Sequence, residues 1–398
     1  MPQPLARRSG PLRPRPVLEE PASSPLSAWL LNGPLTAAFG LVAVLQLVTW
    51  LPHYLTWPYW ADHDVFAHAA RAWTRGALPY RDTPLNNFPG TIYLFLILGK
   101  AFGWGRPPAF FAFDAGLLLL LGATLAVWSK RRFGSLLPAA VGWLTWTSTY
   151  LSLDMAHAAQ RDWQGPAFAV LGLLLLQTRR SPGACVAAGL LAAFAFSIRP
   201  QTILLMPAAW AMLIADGDGP PLRQGRSRRI GLWAGGLAAG LAAVFAPLLV
   251  AGVFGDFIQG VRLAAYGGGY NRVTPVGFVR NWFLQAAVWR WWALALAAGM
   301  IARLGGSASA RLATPWLVAL AGVSLYKPVS PVAHSYLELP IELVAAVCTA
   351  LLAGLLLVAP VRREFQVAGI LLALGLGPTT LRPEFCVAGP TSRRWQAS

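Results

Sequence analysis

Acidic residues are scarce in this chain: it has 15 Asp and Glu in 398 residues, against 32 Lys and Arg. Charge of either sign is thin, at 12% of residues, where soluble domains carry about 25%. With 56% hydrophobic residues and a mean hydropathy of +0.53, there is too little polar surface to cover a soluble core. That excludes a soluble fold and leaves a polytopic membrane protein. Cysteine is also sparse. Cys185 and Cys348 lie inside apolar runs and read as small core residues, and Cys386 is near the end. Neither a zinc-type spacing nor a disulfide framework can be built from three such positions. No internal repeat is visible, and residues 1–26, rich in Pro, Arg and Ser, lack a cleavable-signal pattern and read as a disordered basic cytoplasmic tail.

The net charge is +17. In a soluble protein this would point to nucleic acid. Here the arginines collect between apolar runs, where they act as orientation signals, so no nucleic-acid partner is expected. A phosphate-bearing lipid substrate also calls for arginine. The Asp-Gly-rich stretch at 216–229 has the wrong ligand spacing for a calcium loop and reads as a flexible cytoplasmic linker.

Apolar runs appear at 27–51, 109–129, 134–152, 163–178, 183–198, 201–215, 230–254, 282–302, 312–326, 341–361 and 365–381, with a shorter one at 89–103. Arg7, Arg8, Arg13 and Arg15 place the N-terminus in the cytoplasm. If 89–103 crosses, Lys130-Arg131-Arg132, Arg179-Arg180 and Arg362-Arg363 all land outside, against the positive-inside rule; if it does not, all land inside. The expectation is therefore an all-α polytopic transmembrane helical bundle of about eleven crossings, with 89–103 an interfacial or re-entrant helix. The membrane domain spans 27–381, its catalytic extracytoplasmic loop 52–108, and a C-terminal tail covers 382–398. This topology gathers Asp62, Asp64, Asp82, Asp154, Asp162, Asp256 and Glu338 on the extracytoplasmic side, with His157, Arg161, Arg199, Lys327 and His334.

Three of the few acids fall in the first loop, where the chain leaves the bilayer: Asp62, Asp64 and Asp82. Carboxylates at a membrane boundary cost free energy unless they have a partner or a task. From Asp62 onward the chain can form an amphipathic helix, in which Asp62 suits an N-cap. The functional alternative is a general base that deprotonates an acceptor hydroxyl. One carboxylate suffices if the leaving group is a phosphate, which departs without a proton. The departing charge then needs arginine, lysine, histidine or a metal.

Asp62-His63-Asp64-Val65-Phe66, then Gly76-Ala77-Leu78-Pro79-Tyr80-Arg81-Asp82, then Pro89-Gly90-Thr91-Ile92-Tyr93-Leu94 with Phe102-Gly103 resembles bacterial glycosyltransferase family 39. This group of the GT-C superfamily includes protein O-mannosyltransferases and lipid A aminoarabinose transferase. The resemblance covers roughly residues 55–135 and is looser at Ser197-Ile198-Arg199-Pro200-Gln201 and His334-Ser335-Tyr336-Leu337-Glu338-Leu339-Pro340. It implies a bacterial plasma-membrane enzyme that takes a sugar from a polyprenyl-phosphate carrier on the extracytoplasmic face. The acceptor would be a lipid, a glycan or a protein.

Carried onto this chain, the family's catalytic acid falls on Asp62. The family often has Glu next, where this chain has His63; either Asp64 takes its place or a second acid is dispensable. The family's Trp-Asp-x-Lys after Tyr-Arg-Asp is here Pro84-Leu85-Asn86-Asn87. The resemblance gives Arg199, with Gln201 beside it, the role of holding the lipid phosphate, and Asp82 a substrate contact.

Two further polar clusters are candidates. His157, Arg161 and Asp162 are spaced to share a helix face and could contact sugar hydroxyls; the plainer alternative is a surface ion pair of Arg161 with Asp162 or Asp154. Lys327, His334, Tyr336 and Glu338 lie near the outer face, and Arg199, Lys327 and His334 could form a phosphate clamp; alternatively Lys327 snorkels. Gly267-Gly268-Gly269 in the loop 255–281 suggests a lid. It is no nucleotide fingerprint, since no strand–helix context exists, and no organic cofactor is implied. Asp62, His63 and Asp64 could ligate a divalent ion. The competing functions are a lipid-linked sugar transporter or flippase, and a ligase that transfers whole glycans from pyrophosphate carriers.

Overall fold

The computed structural model describes residues 25–31, 33–179, 181–215, 220–266, 274–283, 288–328, 335–359 and 361–376. Of the expected tails, 1–26 and 382–398, the first enters helix at Pro25 and its residues 1–24 lie outside the described residues, as do all of 382–398, the end of the last apolar run (377–381), the linker acids Asp216 and Asp218, the triple glycine and His334.

Every named element is a helix, and no strand occurs among the described residues. In chain order these are α1 (Pro25–Leu31), α2 (Pro34–Tyr54), α3 (Ala61–Trp73), α4 (Gly90–Phe102), α5 (Pro107–Phe133), α6 (Leu137–Tyr150), α7 (Arg161–Thr178) and α8 (Pro182–Ile198). After a 3-10 turn (Pro200–Leu205) come α9 (Met206–Ile214), α10 (Pro220–Val250), α11 (Phe254–Tyr266), α12 (Pro275–Phe283), α13 (Val288–Leu304) and α14 (Ser307–Ser324). A second 3-10 turn (Ser335–Glu338) leads into α15 (Leu339–Val358), and α16 (Arg363–Leu376) follows.

Local chemistry sets the boundaries. Proline opens α2, α5 and α8, where its missing N–H costs nothing. α5 ends at Gly134, whose φ of 69° is the left-handed conformation that glycine adopts without strain. α8 stops at Arg199 because Pro200 follows, and Arg199 takes the extended backbone a residue before proline prefers.

Among the described residues, four helical stretches are long and apolar enough to cross a membrane: Pro34–Tyr54, Pro107–Phe133, Gly225–Val250 and Tyr336–Val358. α15 is the axis, with every residue from Leu339 to Leu356 buried. α2 is peripheral. It buries only Ala43 and Tyr54 and exposes Leu41, Leu45 and Val48 at 59%, 53% and 62%. A contiguous apolar stripe of that kind requires an apolar surrounding. α4 has 13 residues, a length of about 20 Å, short of the ~30 Å hydrocarbon core.

Small residues let helices approach. A Cβ at Gly189 would lie 2.2 Å from the Trp233 carbonyl oxygen, and one at Gly236 would lie 2.3 Å from that of Val186. These paired glycines lock α8 against α10 in the manner of membrane helix contacts.

Two apolar clusters result. The larger fills the bundle around α15. The smaller is aromatic-rich and joins α3, α4, the start of α5, the end of α10 and α11. Phe95 and Phe110 stack at 4.6 Å within it. This second cluster caps one end of the bundle. The last residues of α2, α6, α8 and α14 and the first of α5, α7 and α15 meet through polar contacts: Tyr54 and Tyr150 bond Asp114, Arg199 and Tyr326 bond Asp162, and Lys327 pairs with Glu338.

Candidate functional site

The site is built from α3 inward. The backbone N–H of Trp60 donates to His63 Nδ1 at 3.3 Å. His63 thus fills the third helical position of a capping arrangement, where Gln or Glu usually reaches back. The bond leaves the ring proton on Nε2, which is buried without a hydrogen bond. Burial, reinforced by the Arg161 charge and opposed by the Ala159 backbone and Asp62, pushes the imidazole down to about 4.

Asp62 lies in the first turn of α3, where a carboxylate meets the positive end of the helix dipole. It is not the N-cap; that position is Trp60. Its charge acts on His63, Arg161 and Tyr336. Asp64 is two residues on and so points to another side of the helix. Its charge acts on Tyr59, whose hydroxyl is pushed up to about 12, chiefly by burial. Among the described residues no group of three His, Cys, Asp or Glu side chains is placed to hold a metal ion.

The second cluster divides in two. Residues 154–159 form a turn ahead of α7, so His157 does not share a helix face with Arg161 and Asp162. Asp154 Oδ1 accepts from the backbone of Ala156 and His157, each at 3.0 Å, and pairs with His157 Nδ1 at 2.5 Å. Burial would raise the Asp154 carboxyl, but these bonds and the imidazole outweigh it and hold the group below its ordinary range.

Arg161 and Asp162 open α7. Neither forms the expected surface pair with the other or with Asp154. Asp162 is fully buried, and its Oδ1 accepts from Arg199 Nε at 2.7 Å and from the Tyr326 hydroxyl at 3.1 Å. Its Oδ2 has no partner. Arg161 lies over the Phe66 ring, 5.1 Å from the centroid. Its Nε and Nη1 are buried and make no hydrogen bond. Around it stand Asp62, Asp162, Arg199 and Tyr336. Gln201 Oε1 and Thr202 Oγ1, in the 3-10 turn beyond Arg199, are likewise buried without a partner.

Other candidates have structural partners. Asp82 Oδ2 accepts from the Leu78 backbone at 2.7 Å and closes its own turn. In the same turn Tyr80, at φ 70°, donates its hydroxyl to the Asn87 carbonyl at 2.8 Å. Arg81 moors this loop to α11 through Asp256 at 2.9 Å and the Gly252 carbonyl at 2.7 Å. Lys327, expected in a clamp with Arg199 and His334, instead forms a buried ion pair with Glu338. The ring of Tyr336 lies 6.1 Å from that of His157.

Two residues had not been singled out from the sequence: Tyr326, which bonds Asp162 and Arg199, and Asp114, which lies behind the site and accepts hydrogen bonds from Tyr54 and Gln164. Asp114 carried a signal, being a lone acid inside an apolar run. Tyr326 carried none, because a tyrosine at the end of an apolar run reads as an interfacial aromatic.

The arrangement sets a half-buried carboxylate, Asp62, near a guanidinium, Arg161, with two unpaired donor nitrogens. Beside them are a second guanidinium, Arg199, and Asp162 with one carboxylate oxygen unpaired. Such a set can bind an anion and accept a proton next to it. The chain matches no protein family, no curated protein and no solved structure.

Proposed function

We propose that this chain is a membrane glycosyltransferase that moves a sugar from a polyprenyl-phosphate carrier to an acceptor on the extracytoplasmic face of a bacterial plasma membrane. About eleven helices cross in this reading, namely α2, α5 to α10 and α13 to α16, with α3, α4, α11 and α12 at the outer interface. The acceptor hydroxyl attacks the anomeric carbon from the face opposite the phosphate, its proton passes to Asp62, and the bond from that carbon to the phosphate oxygen breaks with its electron pair on the phosphate. Arg161 and Arg199 offset the charge that develops there. The sugar inverts.

One observation carries the reading. Asp62, Arg161, Asp162, Arg199 and Tyr336, drawn from separate stretches of chain, act on one another at one end of the bundle, while buried donors of Arg161 have no partner in the protein. Leaving charged N–H groups buried and unpaired costs free energy, and a bound phosphate offsets that cost.

The test is transfer from a radiolabelled sugar-phosphopolyprenol in membranes carrying Asp62→Asn. Loss of transfer with the protein still folded supports the assignment, and near-full activity removes it. Movement of the lipid across the membrane without transfer shifts the reading to a flippase.

A further inference from the structure

Asp114 is the most deeply buried acid outside the site. It sits two turns into α5, fully shielded from solvent. Its Oδ2 accepts from the hydroxyls of Tyr54, at 2.7 Å, and Tyr150. Its Oδ1 accepts from Trp163 Nε1 at 2.9 Å and Gln164 Nε2 at 2.7 Å. Four donors from α2, α6 and α7 thus meet one carboxylate on α5, which uses the acceptor capacity of both oxygens and leaves none for a substrate.

Trp163 and Gln164 directly follow Arg161 and Asp162 on the first turn of α7. The same network reaches the turn that precedes α7, because the Ala159 N–H donates to the Tyr150 hydroxyl at 3.0 Å. Ala159 is held at φ 55°, a conformation a non-glycine residue keeps only when its surroundings impose it. Its backbone also faces His63, the neighbour of Asp62. One carboxylate therefore ties the chain on both sides of residues 161 and 162 to the scaffold, and through Tyr150 and Ala159 it connects to His63, the neighbour of Asp62.

An apolar residue would fill the space at lower desolvation cost, since a buried charged network is often no more stable than a hydrophobic replacement. What an apolar residue cannot do is fix direction. We infer that Asp114 is a positioning residue: by holding Trp163, Gln164 and Tyr150 it sets the start of α7 so that the free N–H groups of Arg161 face the anion of the substrate. This rests on the functional reading above.

The experiment titrates the full-length protein in detergent with a polyprenyl phosphate and reads the rise in thermal midpoint, which reports affinity for the folded state. For Asp114→Asn, whose amide places an N–H against donors, the apparent affinity falls on the order of tenfold. In an Arg161→Gln background the same change has no further effect, because the two act through one group. Tyr150→Phe keeps the carboxylate and three of its donors, and supplies the same measurement if Asp114→Asn fails to fold. Its expected loss is smaller and is likewise absent with Arg161→Gln. Undiminished affinity in the folded Asp114 or Tyr150 variant overturns the inference alone, as does a loss that is equal with and without Arg161. No stabilisation of the unmodified protein by the lipid overturns both the functional reading and this inference.

Discussion

Arg199 donates to Asp162 at 2.7 Å across 37 residues of chain. The arginine ends α8 and the aspartate begins α7, so each sits where its helix dipole favours its charge. The pair closes the α7–α8 hairpin at the end where the site lies, and it leaves Asp162 Oδ2 unused.

Breaking this pair from one side leaves an uncompensated buried charge. Asp162→Ala is expected to cost about 3–5 kcal/mol of stability, read as a lower thermal midpoint in detergent. The double replacement Asp162→Leu with Arg199→Met should recover most of that midpoint without recovering transfer. Recovery of both would make the pair purely structural.

Asp62 and Asp64 should separate in function because α3 turns them to different sides. Asp62→Asn is expected to lower transfer by roughly 10²-fold or more, the range for a lost general base. Asp64→Asn should stay near the unmodified rate. Equal losses in assays of both variants would contradict the division.

His63 makes stability depend on pH. Its imidazole titrates at about 4 in the folded chain and near 6.5 when unfolded, so on acidification the unfolded state takes the proton first. Stability is full above pH ~6.5 and falls as pH drops toward ~4, by on the order of 3 kcal/mol in total. His63→Gln keeps a group able to reach the Trp60 N–H and should flatten denaturation profiles across that window. An unchanged slope would assign the acid sensitivity to other groups.

The α8–α10 contact should tolerate no added methyl. Gly189→Ala would push a Cβ to 2.2 Å from backbone oxygen, which no rotamer change relieves. About 1–3 kcal/mol of destabilisation is expected, whereas Gly183→Ala, with nothing within 4 Å, should be near neutral. Melting curves of the two variants make the comparison.

Composition alone pointed to a membrane-type fold, because a chain this poor in charge cannot cover its apolar surface in water. The apolar runs locate the bundle helices, since a run of that length has no other way to satisfy its backbone than a helix. The polar positions Asp62, Arg161, Asp162, Arg199 and Tyr336 were also legible, because each breaks an apolar background. Which of them meet was not. Sequence spacing grouped His157 with Arg161 and Asp162, but a turn intervenes, and the partner of Asp162 is Arg199. Lys327 read as part of a phosphate clamp or as a snorkelling cation, and the fold pairs it with Glu338. Asp114 read as part of an apolar run, and the fold surrounds it with four donors. Partnership between side chains depends on how helices pack and rotate against one another, which no one-dimensional spacing encodes, so only the tertiary structure could decide which charges are satisfied internally and which donors, Nε and Nη1 of Arg161, are left without a protein partner.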